Sequence, residues 1–208
     1  IDEAATGTFL LNLGMTLAFI FAHLLTIILS VRQVPSEIEN RTIYPILARP
    51  VTRLQFLLGK GFACAVSGIM AYTIFFLMVW VSTPKLESYA GMLLGQTLVL
   101  QWMSLLLTAA MGIFFSLFAP RAVAFLLLAV LVFMGSVVTG FVVSLIDSST
   151  FEAVVSWVLL YLPDFSKLNL TTRYTDGVQS LGMGSFLGLV FHGVVFTSLA
   201  YGMGYELF

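Results

Sequence analysis

The chain has 208 residues, 60 % hydrophobic and 9 % charged, with a formal net charge of −1. Soluble globular domains are about 25 % charged, so this composition excludes a water-soluble fold, and basic residues scattered along the chain give no patch for nucleic acid. The single cysteine, Cys64, leaves no disulfide framework and no Cys-based metal site.

Charge-free runs occupy Thr8–Val31, Gly61–Thr83, Tyr89–Ala119, Ala122–Ile146 and Leu181–Tyr205. Each exceeds the roughly 20 residues that cross a ~30 Å hydrocarbon core, so each is predicted to span a membrane. Lipid cannot satisfy backbone polar groups, and the runs far exceed the ~10 residues of barrel strands, so the spans must be helices. The expected fold is an all-α membrane protein, a single transmembrane domain over residues 1–208, with spans at about 8–31, 61–83, 89–119, 122–146 and 181–205. The chain begins with Ile1, and five spans put its ends on opposite faces. An upstream segment, either a further span or a cleaved signal peptide, is therefore expected.

After the first span, Glu37, Glu39, Arg41, Arg49, Arg53 and Lys60 crowd between Pro35 and Lys60. A polar loop over residues 32–60 must lie in water. Ser36 followed by Glu39 has the spacing of a capping box, which predicts a helix starting near Glu37. Pro45 lacks an N–H and should kink or stop that helix near Tyr44, and Pro50 should end it. Thr52 and Gln55 repeat the capping arrangement and predict a second helix running through Lys60 into the membrane. With alternating spans, Arg32, Arg41, Arg49, Arg53, Lys60 and Arg121 share one face against Lys85, Lys167 and Arg173 on the other. The excess places loop 32–60 in the cytoplasm. Arg32 and Lys60 also suit a role as interface anchors that snorkel.

The third run would measure about 46 Å as one helix and is expected to tilt, break or protrude, with Gly91, Gly95 and Gly112 as break points. Between the last two spans, the loop 147–180 carries a short apolar run, Phe151–Leu162, too short to cross the membrane. It predicts a re-entrant or interfacial helix, capped by Ser149 or Thr150 and stopped by Pro163. The segment that follows, DFSKLNLTTRYTDG, is polar and turn-rich and is expected to face water.

Within the spans, His23 and His192 are either functional groups or neutral histidines bonded to neighbouring helices, the second reading being favoured by the absence of nearby Asp, Glu or Cys. Asn12, Gln96, Gln101 and Trp102 could line a path or bind helices together. Gly91/Gly95 and Gly184/Gly188 have the spacing of close helix contacts, within the chain or across a dimer. The methionines are scattered among Leu and Phe and read as packing. No phosphate-binding loop, HExxH or Ser/His/Asp set is present, so no catalytic residue and no metal ligand is assigned.

The stretch Glu37-x-Glu39-x-x-Thr42-Ile43, then Ile46-Leu47-Ala48-Arg49-Pro50-Val51-Thr52-Arg53 and Phe56-Leu57-Leu58-Gly59-Lys60, resembles the first cytoplasmic loop of type-2 ABC exporter permeases. A second stretch, Tyr161-Leu162-Pro163-Asp164-Phe165-Ser166-Lys167-Leu168-Asn169-Leu170, is similar to a passage before the last span in permeases of the nitrous-oxide-reductase maturation type. The resemblance implies six spans in the intact protein, of which these would be the second to sixth. It also implies a cytoplasmic coupling helix that docks on a separate ABC ATPase subunit. On that reading Glu37, Glu39, Arg41, Arg49, Pro50, Thr52 and Arg53 meet the ATPase, and Gly59 and Lys60 mark re-entry to the membrane. The chain itself would hold no cofactor, ATP and Mg being bound by the partner. The other partners would be a second permease copy or homologous permease and membrane lipid, in the cytoplasmic (inner) membrane. The competing readings are a non-transporting membrane anchor or accessory subunit, and an ion channel or secondary transporter, which the charge-free spans disfavour.

Overall fold

Each long apolar run must satisfy its own backbone N–H and C=O groups, because lipid offers none in exchange. A computed structural model describes residues 3–40, 52–82, 90–144, 165–170 and 180–207. Within these lie α1 (Glu3–Glu39), α2 (Arg53–Ser82), α3 (Ala90–Phe118), α4 (Arg121–Ser144) and α5 (Met183–Leu207), with a 3-10 turn at Phe165–Leu168. No strand occurs among the described residues. Helices α1, α2, α3 and α5 are long and apolar enough to cross a membrane. Helix α4 is charge-free beyond Arg121 and, at 24 residues, is about 36 Å long. The protein is an all-α, multi-pass membrane protein.

Contacts between helices fix their directions. Gly14 meets Val79, Gly68 meets Thr26 and Lys60 meets Glu37, so numbers fall on α2 as they rise on α1 and the two are antiparallel. His23 meets Ser104 and Ser30 meets Gly112, so α1 and α3 run parallel. Gln96 with Leu181, Met103 with Gly193 and Leu117 with Gly204 set α5 parallel to α3. Helix α3 touches every other long helix and sits at the centre, with 61 % of its apolar window buried, whereas α5 lies at the edge with 11 %.

Between helices in lipid there is little hydrophobic driving force, so close approach depends on small residues and on satisfied polar groups. Gly68 lies against the Thr26 hydroxyl, Gly112 against the Ser30 hydroxyl and Gly61 against the Tyr201 ring, and a β-carbon at any of these would overlap its neighbour. The hydroxyls in turn donate to carbonyls of their own helix, Thr26 to Ala22 at 2.8 Å and Ser30 to Ile27 at 3.2 Å. Gly95, Gly184 and Gly188 instead have nothing near a would-be β-carbon among the described residues, so the Gly184/Gly188 pair makes no close helix contact there.

Two expectations are corrected. Of the three ways in which the long third run could be accommodated, breaking is excluded: helix α3 is continuous from Ala90 to Phe118, through Gly91, Gly95 and Gly112, which leaves tilt or protrusion. Gly112 is used for proximity to Ser30 rather than for bending. The segment around Phe165 does not simply face water, because Phe165, Leu168 and Leu170 are buried against the bundle. A 3-10 turn repeats every three residues, which puts Phe165 and Leu168 on one face despite the polar residues between them. The Phe165 ring reaches within 6.5 Å of His23, and the turn packs on α3 and α4. The stretch Phe151–Leu162, with Ser149, Thr150 and Pro163, lies outside the described residues.

Candidate functional site

The antiparallel and parallel pairings bring the ends of α1, α3 and α5 and the starts of α2 and α4 to one end of the bundle. Glu37, Glu39, Arg53, Lys60 and Arg121 gather there. Their placement follows from local sequence. Thr52 precedes α2 and caps it reciprocally with Gln55: the Thr52 N–H donates to Gln55 Oε1 at 3.1 Å, and the Gln55 N–H donates to Thr52 Oγ1 at 3.3 Å. The Phe56 N–H then donates to the Thr52 carbonyl at 3.1 Å, and α2 runs unbroken through Gly59 and Lys60 into the membrane. This is the second capping arrangement expected from sequence.

The first capping arrangement is not formed. Ser36, Glu37 and Glu39 lie in the last turn of α1, which continues past Val31 to Glu39 with Pro35 inside it. The Ser36 hydroxyl donates backwards to the Gln33 carbonyl at 3.0 Å instead of capping a new helix. The Asn40 N–H closes the turn on the Ser36 carbonyl at 3.1 Å. The Ser-x-x-Glu pattern is as compatible with a helix interior as with its start, and propagation from the preceding apolar turns wins over costly nucleation of a separate helix.

An acidic last turn opposes the helix dipole, whose C-terminal end favours cations, and α1 has no basic residue there. Neighbouring helices supply the positive charge. Lys60 Nζ donates to Glu37 Oε1 at 2.6 Å, with the side chains 27 % and 18 % exposed. Its ammonium also sits 5.8 Å from the Phe56 ring centroid. The Arg121 guanidinium donates to the Glu39 carboxylate in a pair more open to solvent. Open pairs of this kind contribute about 0–1 kcal/mol and weaken with salt, whereas the shielded Lys60–Glu37 pair is harder to leave half-made.

Structure thus joins Glu37 to Lys60, and Glu39 to Arg121, a residue that sequence reasoning put on the same face but did not count among the site residues. Its signal was available: it is the one cation in the tight Ala119–Arg121 connection between α3 and α4. Arg53 and Thr52 are exposed at the start of α2, and Gly59 has open space around it. Arg41, Arg49 and Pro50, with Pro45, lie outside the described residues.

Deeper in the bundle, the polar groups of the spans bind helices together. His23 is fully buried, with Nδ1 2.9 Å from the Phe19 carbonyl and Nε2 2.9 Å from Ser104 Oγ. A carbonyl only accepts, so Nδ1 carries the proton, while Nε2 and the Ser104 hydroxyl share the hydrogen bond that links α1 to α3. Trp102 Nε1 donates to Thr73 Oγ1 at 3.2 Å, linking α3 to α2. Gln96 both donates to the Leu181 carbonyl and accepts from its N–H, each at 2.9 Å, which fixes the entry to α5. Beside the charged end, Leu54, Leu58, Phe62, Thr197 and Tyr201 line an apolar groove of about 710 Å³ between α2 and α5.

Residues 2–208 match a family model described as ABC-2 family transporter protein. No curated protein and no solved structure matches the chain.

Proposed function

Since the chain belongs to the ABC-2 family of transporter proteins, whose members typically work with an ABC ATPase partner, we propose that it couples ATP hydrolysis on that separate subunit to export across the membrane. It is the transmembrane permease component of the transporter. On this reading ATP and Mg are held by the partner, and two permease copies, or this chain with a homologous one, serve the two ATPase subunits, since paired nucleotide sites call for paired couplings. Loop 32–60 faces the cytoplasm, in the inner membrane. The connection between α1 and α2 meets the ATPase through Arg41, Arg49, Pro50, Thr52 and Arg53, with Glu37 and Glu39 at its leading edge and Gly59 and Lys60 where α2 enters the membrane. The cargo is apolar or lipid-like in character, because the described spans offer it hydrophobic surface and neutral hydrogen-bonding groups.

The single observation that carries this reading is the charged end itself. The end of α1 and the start of α2, joined through residues 40–52, are held together by Lys60–Glu37, and α2 starts on a formed cap with Arg53 exposed beside it. The cap and the ion pair give the two flanking helix ends a firm base, which supports this reading. Purification of the tagged chain from its source membrane tests it: an ABC ATPase should accompany the chain, and Arg53→Ala should lower ATP hydrolysis by the complex at least about fivefold, the low end of ordinary coupling energies. A complex with no ATPase, or one whose hydrolysis and transport ignore Arg53→Ala, would favour the anchor reading instead.

A further inference from the structure

Glu37 and Glu39 are two positions apart on a helix, so their side chains leave the axis on nearly opposite sides, about 200° apart. One reaches α2 through Lys60 and the other reaches α4 through Arg121. The last turn of α1 is therefore tied on both sides. Immediately before it stands Pro35, which cannot donate to the Val31 carbonyl and so removes one rung of the ladder between this turn and the rest of the helix. The turn has a weakened joint behind it and charged ties to two neighbours in front of it.

The tie to α2 is not at its end. Lys60 lies seven residues beyond Arg53, so α2 projects about 10 Å past the pair before it meets the connection to α1. From Thr52 to Lys60 the helix is a capped arm, and the membrane part of α2 continues from it without interruption. Beyond Lys60, Gly68 lies against Thr26, so α2 can tilt only against a fixed near contact. The Ala119–Pro120 link is short, with the Ala124 N–H donating to the Pro120 carbonyl at 2.9 Å, so Arg121 moves with α4 as a unit.

From this geometry we propose that Glu37–Lys60 and Glu39–Arg121 form a double clamp that divides one displacement of the α1–α2 connection between α2 and α4. The four side chains are positioning residues: they convey movement and need not touch the ATPase. The inference rests on the proposed coupling to an ATPase and assigns the transmission step within it. It also changes the expected role of the two glutamates from contacts with the partner to ties within the chain.

The test uses the complete complex of the chain with its ATPase in lipid nanodiscs. A fluorophore is attached at Ser82→Cys, at the far end of α2, in a Cys64→Ala background, and its response to ATP with vanadate is recorded. Lys60→Glu should keep the ATPase bound and hydrolysing while the ATP-driven signal at position 82 falls at least about fivefold, and Arg121→Glu should do the same to the signal of a fluorophore placed instead at Met134→Cys, an exposed position on α4. The exchanges Glu37→Lys/Lys60→Glu and Glu39→Arg/Arg121→Glu should each restore at least half of the signal lost. A simple loss of folding would not be repaired by exchange with the pair reversed, and size-exclusion profiles identify it. The clamp is overturned if the single reversals leave the signal intact, or if exchange does not restore it. It is also overturned if the reversals release the ATPase, which would make these residues direct contacts and leave the coupling reading standing. If the unaltered chain holds no ATPase, the coupling reading itself fails, and the clamp with it.

Discussion

At Thr52 a single hydroxyl decides where α2 begins, because it and Gln55 satisfy two N–H groups that the first turn would otherwise leave bare. Thr52→Ala should lower the apparent melting temperature in detergent by an amount equivalent to about 1 kcal/mol, and Thr52→Ser should change it little. His23 and Ser104 make a different kind of local bond, fully buried between helices. A double-mutant cycle with His23→Ala and Ser104→Ala should give a coupling of about 0.6–1.7 kcal/mol, the range usual for hydrogen bonds between membrane helices; additive effects would mean that the bond is not made. The cap at Thr52 was legible because both partners sit three residues apart in the sequence. Ser104 was not, because nothing near His23 in the chain announces a hydroxyl eighty-one positions away.

For elements, the distribution of glycines separates close contacts from open surface. Gly112→Val should push α3 away from Ser30 and cost about 1–3 kcal/mol by overpacking, read as lost monodispersity and a lower melting temperature. Gly95→Ala and Gly188→Ala, which meet open space, should be tolerated within the chain. Spacing alone pointed the other way: the pairs four apart were the natural candidates, while Gly68 and Gly112, which make the contacts, belong to no such pair. Contact depends on which face of the helix the neighbour occupies, and a lone span does not record that. The same reason explains the continuous α3 and the long α1. Glycine in a helix costs about 1 kcal/mol, which packed neighbours easily offset, and a serine-glutamate spacing cannot start a helix where one is already propagating.

On the scale of the molecule, a spanning α2 puts its two ends on opposite sides of the membrane, and this leads to a direct prediction. Arg53→Cys should react with a membrane-impermeant thiol reagent only in inverted vesicles, and Ser82→Cys only in right-side-out ones, with buried Cys64 silent in both. The reverse pattern would invert the orientation drawn from the basic residues. Sequence by itself determined the membrane, the helices and the end of the bundle where charge collects, since burying charge and unpaired backbone groups in lipid is so costly that composition leaves few alternatives. It also carried the family resemblance, in the run from Glu37 to Lys60. Only the tertiary structure decided what the charges do there. Glu37 finds Lys60 and Glu39 finds Arg121, each across an antiparallel pair of helices, and both matches depend on the register and rotation of packed helices. Those are set by contacts such as Gly68 on Thr26 and Gly112 on Ser30, which are far apart in the chain and become neighbours only when the bundle closes.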